Sequence, residues 1–414
     1  MQKEGTSVIS IIAISVATAQ TTGEEEAMPN HTLPTDPATS KQIPEQEELR
    51  TLAAFRDPSA HAVSFCYSLH SFPDKSHHTE KVALGKLVQD EVAKFRPGAM
   101  PELLSSDLNQ ILAMSDDIQR TPTLWRAVYA CGEQKIWREF DLPAPEEIAQ
   151  LSISSCFLLV PLLAAIQSCR RYRVVLMESG KTRLFEIQGS EVRGIPGRLS
   201  EGDLTQRSED SRVGWSKRVD GNVEHQERAW FRLIVDELGK LPGEQGPGTL
   251  VVGCRNDIWG EARPYFAALE NNTIMGRFHL PGFGLGAQEV LKEARPIFEQ
   301  YQLEQCKDLL HAIDDDNGRG AHGLHAVLKA LAAGRVQKML LGDMTGQTAN
   351  ECGECGRIQP ELKNKCAFCR SSQLVPIPAD EALVRLALDQ KAEILHIPSV
   401  EEETFHGVAA MLRY

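Results

Sequence analysis

The chain has 414 residues, 42% hydrophobic and 24% charged, with a formal net charge of -13. That length accommodates two or three domains with real cores. The acidic balance excludes a general grip on nucleic-acid phosphates, so any RNA contact has to be local. Ten cysteines are present. Six of them (Cys66, Cys131, Cys156, Cys169, Cys254, Cys306) stand singly in apolar or helical contexts, the pattern of reduced residues in a reducing compartment.

In chain order, Val8-Ile-Ser-Ile-Ile-Ala-Ile-Ser-Val16 followed by Ala17-Thr-Ala19 has the form of a signal peptide with its cleavage site. Glu4 cancels Lys3 ahead of it, and Met28 offers a second start. The reading adopted is a mis-assigned start codon rather than export. No later stretch reaches the roughly 18 apolar residues that mark a membrane span. Residues 1–50 are read as a disordered acidic lead-in, carrying Glu24, Glu25, Glu26, Asp36 and Glu45 among Pro29, Pro34, Pro37 and Pro44.

Residues 51–168 are read as a first α/β domain. Val63, Phe65, Tyr67 and Leu69 alternate as in a half-buried strand, and Leu84, Leu87, Val88, Val92 and Phe95 follow at helical spacing until Pro97-Gly98. A helix is expected near Met100–Met114, with strands at Trp125–Val128 and Phe157–Val160. His77-His78 sit in a polar stretch and are read as solvated loop residues rather than a metal pair.

Residues 169–270 are read as a second domain. Arg171–Met177 and Thr182–Ile187, joined by Ser179-Gly180-Lys181, predict a β-hairpin. A Gly-, Ser- and charge-rich loop spans Gly194–Asn222, then a helix carries Trp230, Leu233, Ile234 and Leu238 on one face. Thr249–Cys254 reads as a buried strand leading into a helix near Trp259–Leu269. A twisted mixed sheet with helices packed against it is expected.

Residues 271–414 are read as a third domain, opening with Ile274–Leu280. Pro281-Gly-Phe-Gly-Leu-Gly286 lacks the dinucleotide-loop spacing and is read as a turn before a helix. Asp314–Gly318 is a solvated turn rather than a calcium loop. A helix bearing Leu324, Val327, Leu328 and Leu331, a strand at Arg335–Leu341, a helix at Asp380–Leu388 and strands at Ala392–Ile397 and Val408–Leu412 complete an α/β sandwich.

Between the strand at 335–341 and the helix at 380–388 lies the strongest motif. Cys352-Gly-Glu-Cys355-Gly and Cys366-Ala-Phe-Cys369 supply four thiolates in two Cys-x-x-Cys pairs, the set required by a closed tetrahedral zinc site. Structural Zn2+ on Cys352, Cys355, Cys366 and Cys369 is therefore expected, as a zinc knuckle at 352–369 inserted into the sandwich. Gly356 permits the tight backbone after the first pair, where the second pair has the less suited Arg370.

The run Ala326–Gly342, the cysteine pairs, the next helix and Ala392-Glu-Ile-Leu-His-Ile397, together with the hairpin starting at Arg170, resemble the archaeo-eukaryotic peptide-chain release factors and their relative Pelota. Bacterial relatives of family 10 type share this likeness. The resemblance covers roughly residues 55–414. It implies three α/β domains, with a ribonuclease-H-like middle domain and a ribosomal-protein-like α/β sandwich bearing the zinc-ribbon insertion and serving protein contacts.

In release factors a Gly-Gly-Gln loop of the middle domain helps place a water on the peptidyl-tRNA ester, and bacterial relatives carry variants near Gly-Gly-Trp-Ser-Gln. The equivalent stretch here is Arg212-Val213-Gly214-Trp215-Ser216-Lys217-Arg218. Val213 removes backbone freedom and Lys217 offers no amide in the glutamine position, so the catalytic motif is not intact and the reading leans away from an enzyme.

Independently of the family, Arg212, Gly214, Trp215, Ser216, Lys217 and Arg218 form a small cationic and aromatic group able to stack on a base and touch phosphates. Residues 170–240 hold fourteen Lys/Arg against twelve Asp/Glu, so no strong basic field supports it. An Asn-Ile-Lys-Ser loop for stop-codon reading is not found in residues 50–165. The expectation is a cytoplasmic, ribosome- or tRNA-associated factor of rescue, hibernation or quality control, with a protein partner on the C-terminal domain and no membrane. The alternatives are a peptidyl-tRNA hydrolase using the 212–218 loop, or a zinc-bearing interaction module unrelated to the ribosome.

Overall fold

The computed structural model describes residues 43–56, 61–68, 77–95, 100–114, 125–145, 148–178, 180–195, 216–241, 248–269, 272–280, 284–315, 319–360, 364–397, 405 and 407–413, with 77–81 and 216–226 described as backbone only. The first sheet is antiparallel, in the order β3-β2-β1-β4, from β1 (Ala62–Ser68), β2 (Trp125–Cys131), β3 (Ile136–Leu142) and β4 (Ala149–Ser154). Helix α1 (Gln46–Ala54) precedes it; α2 (His77–Val92) and α3 (Glu102–Ala113) lie between β1 and β2. Val63, Phe65, Val128 and Leu151 meet α2 and α3 through Leu84, Leu104 and Ile111.

The opposite face of that sheet is also buried. Ala62, Cys66, Ala127 and Tyr129 join a core completed by residues far along the chain. The alternation in β1 therefore marks a strand buried on both faces, not the half-buried one expected. Three further expectations need correction. Residues 46–54 are helical within the stretch read as lead-in, because Leu49, Leu52 and Ala53 find a buried face. His77-His78 open α2 rather than lying in a loop. Phe157–Val160 is not a strand: it leads into α4 (Val160–Ser168), with Pro161 in the first turn, where its missing N–H costs nothing.

The middle sheet has the order β7-β6-β5-β8-β9, from β5 (Arg171–Glu178), β6 (Lys181–Gln188), β7 (Glu191–Ile195), β8 (Gly248–Cys254) and β9 (Asn272–His279). The first three strands are antiparallel, and β8 and β9 run parallel to β5. This is the ribonuclease-H-like strand order. The hairpin closes as expected, Glu178 opposite Lys181, with Gly180 at φ +80 supplying the left-handed turn position. Helices α5 (Ser216–Lys240) and α6 (Asn256–Phe266) cover one face through Trp230, Phe231, Ile234 and Phe266. The other face packs Tyr172, Val174, Leu176 and Phe278 on α7 (Ala287–Asp315) through Val290, Ala294 and Phe298.

Strand β9 thus belongs to this sheet, and the domain boundary expected at 270/271 falls inside it. The stretch 274–280 is apolar because it is the parallel edge partner of β8. Helix α7 then runs on through Asp314 and Asp315, expected as turn residues, and its second half packs Cys306, Leu309 and Ile313 on a third sheet. That sheet has the order β10-β16-β11-β15, from β10 (Gly320–His322), β11 (Val336–Leu341), β15 (Glu393–His396) and β16 (Val408–Leu412), with β11 and β15 parallel. Helices α8 (Gly323–Ala332) and α9 (Ala379–Asp389) cover its other face.

Between β11 and α9 the chain forms a small three-stranded sheet, β13-β12-β14, from β12 (Thr348–Cys352), β13 (Ile358–Gln359) and β14 (Leu374–Pro378). The cysteine-bearing insertion is where the sequence places it. Among the described residues no helix is long and apolar enough to cross a membrane.

Candidate functional site

The ribbon brings all four predicted ligands together. Cys352 Sγ lies 3.4 Å from Cys369 Sγ and Cys355 Sγ 3.7 Å from Cys366 Sγ, and the four sulfurs all fall within 4.8 Å of one another. A tetrahedral ion with metal–sulfur bonds of ~2.3 Å spaces its sulfurs ~3.8 Å apart, so this cradle fits a four-thiolate metal ion. Cys352 and Cys366 are buried while Cys355 and Cys369 face outward.

Each Cys-x-x-Cys turn is closed in the same way. Gly356 N donates to Cys352 O (2.8 Å) and Arg370 N donates to Cys366 O (3.0 Å). Both residues adopt left-handed backbone, φ +67 for Gly356 and +65 for Arg370. The glycine does this without strain; the arginine does so at a cost of about 1 kcal/mol. Arg370 therefore plays the glycine role that its identity had obscured.

The turns also polarise the thiols. The amides of Cys369 and Phe368 point at Cys366 and pull its thiol down to about 6. The Cys355 amide, followed by that of Glu354, lowers Cys352. Cys369 moves up to about 12: the Ser371 amide acts to lower it, but the neighbouring thiols, Cys352 first, outweigh that contribution. Cys355 likewise is raised by Cys352 and Cys366 against the lowering effect of the Arg357 amide. Without a cation the four sulfurs cannot all be ionised this close together, and a divalent ion would favour the thiolate form of all four by offsetting two of their four charges.

The ribbon is tied to its surroundings by charges that sequence reasoning missed. Glu351, next to Cys352, accepts from Arg56 Nε (3.1 and 3.2 Å) and from Arg385 (2.9 Å). Its carboxyl is nonetheless raised, chiefly by burial. One turn before Arg385 on α9, the buried Glu381 accepts from the backbone amides of Leu159 (2.7 Å) and Val160 (2.9 Å), capping α4 from 222 and 221 residues away along the chain. Burial pushes this carboxyl up to about 8. Gln167 of α4 exchanges two 2.8 Å hydrogen bonds with the backbone of His396. An acidic residue in the first turn of a helix is ordinary, so nothing in the sequence marks Glu381 as the cap of a different helix.

Of the expected RNA-contact residues, Arg212, Gly214 and Trp215 lie outside the described residues. Ser216, Lys217 and Arg218 form the start of α5, and their side chains are likewise outside the description. Among the described residues, the four cysteines are the one group of three or more His, Cys, Asp or Glu placed to hold a metal. The described part of the middle sheet therefore presents no carboxylate cluster for metal-dependent nuclease chemistry.

Residues 159–299 match the family model of bacterial archaeo-eukaryotic release factor family 10. That span runs from the start of α4 through the whole middle sheet into α7, and over it the chain is release-factor-like. No curated protein gives a significant sequence match. Among solved structures, Archaeoglobus fulgidus Pelota is 14% identical, with 90% of this chain and 94% of that one covered and a TM-score of 0.35. The archaeal translation termination factor aRF1 is 14% identical over 90% of this chain and 99% of its own, with a TM-score of 0.22. Archaeal Pelota, from a ribosome-bound complex with ABCE1, is 13% identical over 89% and 94%, with a TM-score of 0.32. Scores this low leave those three likenesses without weight.

Proposed function

We propose that this chain is a ribosome-associated, release-factor-like protein of rescue, hibernation or quality control that does not terminate at specific codons. The carrying observation is the family match over residues 159–299, which coincides with a self-contained sheet of ribonuclease-H-like strand order. On this reading the residues 51–168, 169–270 and 271–414 act as three functional parts, with β9 shared across the last boundary. The segment Arg212–Arg218, whose last three residues open α5, makes a local contact with ribosomal RNA or tRNA through Trp215 and its flanking cations. It departs from Gly-Gly-Gln at Val213 and Lys217, which supports binding without ester hydrolysis. The protein works in the cytoplasm, where metal-bound thiolates survive.

The metal is zinc and its role is structural. Four sulfur ligands close the coordination sphere and leave no position for a water or substrate. Cys352, Cys355, Cys366 and Cys369 therefore brace the ribbon rather than perform chemistry.

Co-sedimentation through sucrose gradients tests the ribosome reading. The full-length protein is expected in ribosomal fractions, at least from stressed cells, and its absence from them under every condition removes the proposal. A labelled peptidyl-tRNA–ribosome complex tests hydrolysis separately: no release is expected, and release abolished by Gly214→Ala would make the protein a peptidyl-tRNA hydrolase.

A further inference from the structure

We infer that the metal ribbon is also an oxidation site, at which a hydroperoxide converts the four thiolates into two disulfides running crosswise between the turns, Cys352–Cys369 and Cys355–Cys366. The inference rests on the zinc reading of the ribbon and goes beyond its bracing role.

Access singles out this site. Of the ten cysteines, Cys355 and Cys369 alone are exposed, one in each Cys-x-x-Cys turn. The six cysteines outside the ribbon are all buried, and burial pushes Cys66 up to about 12 and Cys306 up to about 11. Protonated and shielded thiols of that kind are inert towards an oxidant, whereas metal-ligating sulfurs are held as thiolates. The ribbon also supplies a second sulfur for each exposed one. The two thiol–thiol hydrogen bonds both cross between the turns, Cys352 to Cys369 at 3.4 Å and Cys355 to Cys366 at 3.7 Å. Each joins an exposed cysteine to a buried one. An attacked sulfur therefore has its resolving partner already in contact, in a pocket the solvent does not fill.

The steps balance within the named groups. The exposed thiolate of Cys369 attacks one peroxide oxygen; an S–O bond forms, the O–O bond breaks and hydroxide leaves, so the sulfur is oxidised by two electrons and the peroxide reduced by two. The thiolate of Cys352 then attacks the sulfenic sulfur, forming the S–S bond and expelling a second hydroxide. Cys355 and Cys366 repeat the sequence with a second peroxide, and the hydroxides take protons from water and buffer. A ribbon with both bonds has no thiolate left to hold an ion. Crosswise bonds keep the two turns tied to each other, so the oxidised ribbon stays assembled and a dithiol can return it to the metal-binding form.

Hydrogen peroxide added to the full-length, metal-loaded protein tests this. Metal content is measured first by atomic emission: protein that binds no zinc removes the metal reading of the ribbon, and this inference with it. Loaded protein is expected to lose its whole zinc complement, one ion for every two peroxides consumed, in step with the loss of four free thiols. Peptide mapping after alkylation in denaturant should find Cys352 bonded to Cys369 and Cys355 to Cys366, with the six cysteines outside the ribbon still carrying the alkyl label. Dithiothreitol followed by zinc should restore metal content and thermal melting. Zinc retained in a molar excess of peroxide, oxidation that begins at the six other cysteines, disulfides closed within each Cys-x-x-Cys turn, or sulfinic acids in place of disulfides would each overturn the proposal while the zinc reading stands.

Discussion

The middle sheet and the rest of the molecule are built on opposite plans. The middle sheet draws both of its cores from residues between Tyr172 and Phe298, in the order in which they occur. The largest core instead joins Leu49, Leu52, Tyr129, Phe157 and Leu162 to Val327, Met339, Leu383 and Ala387, across the whole middle segment of the chain. Local construction lets a segment be matched and transferred as a unit, and the span of the family match follows it. Non-local construction makes the first and last thirds of the chain one folding unit, held by the Glu381 cap, the Gln167–His396 exchange and the Arg56–Glu351–Arg385 bridge. Loss-of-structure experiments should therefore separate the two plans, and hydrogen exchange read segment by segment is the measurement that does so.

Metal loss is the largest perturbation. Apparent binding free energies of structural zinc sites are about 10–16 kcal/mol, far more than a ribbon of three short strands can replace. Cys366→Ser, or chelation, should abolish metal binding and expose β12–β14 to rapid exchange. Because Glu351 anchors the ribbon to Arg56, just after α1, and to Arg385 of α9, protection in α9 should fall as well, while β5, β6 and β8 keep theirs. Metal content by atomic emission and exchange by mass spectrometry read both halves. Equal loss of protection in β5 and β8 would show that the middle sheet does not stand on its own.

Removal of the long-range cap comes next. Glu381→Ala strips one buried and one part-buried amide at the start of α4 of their acceptor and should destabilise the fused core by about 2–4 kcal/mol. Chemical denaturation followed by exchange should place that loss in α4, α9 and β15. A uniform loss across β5–β9 would mean the two plans share one cooperative transition.

The same carboxylate gives a smaller, pH-dependent effect. Its acidity is shifted from 4.5 to about 8 by burial, so the folded state holds a proton that the unfolded state releases. The stabilisation is complete below pH 4.5 and is lost as the pH rises towards 8. Between pH 5 and 7 the fused core should lose about 2 kcal/mol. Glu381→Gln, which cannot ionise, should flatten that slope while leaving the middle sheet's pH response unchanged. A slope that persists in the variant would assign the dependence to other groups.

What was legible in the sequence follows the same division. The hairpin 171–188, the helical face of Trp230 and Ile234, the strand 249–254 and the four cysteines could be read directly, because each signal is a short-range period or spacing. The missed features depend on distant partners. Helix 46–54 exists because Leu49 and Leu52 pack into a core shared with Leu383 and Ala387 of α9, and no local pattern announces it. Strands 136–142 and 149–154 were invisible among charged and polar residues such as Arg138, Glu139 and Gln150, which the sheet holds at its margins. Strand 272–279 reads from sequence as the opening of the next domain because its partner, β8, is joined to it through a helix. Arg370 is unsuited to its turn by residue type alone, yet the hydrogen bond to Cys366 O holds it at φ +65.

The smallest predicted effect falls inside the middle sheet and tests its independence from the other direction. Trp230 is buried, and its indole N–H donates to Thr182 Oγ1 at 2.9 Å, linking α5 to the hairpin. Thr182→Val keeps the shape of the side chain and removes the acceptor, leaving a buried donor unpaired at a cost of about 1 kcal/mol. Helix α5 should open more often while its hydrophobic contacts through Phe231, Ile234 and Leu238 keep it docked. Exchange should therefore rise in α5 and β6 alone, with α4, α9 and β15 unmoved. Since α5 begins at Ser216, inside the proposed contact loop, this substitution should also weaken association with ribosomes more than its stability cost alone implies. Faster exchange in α4 and α9 instead would show that the middle sheet and the fused core are not separate units.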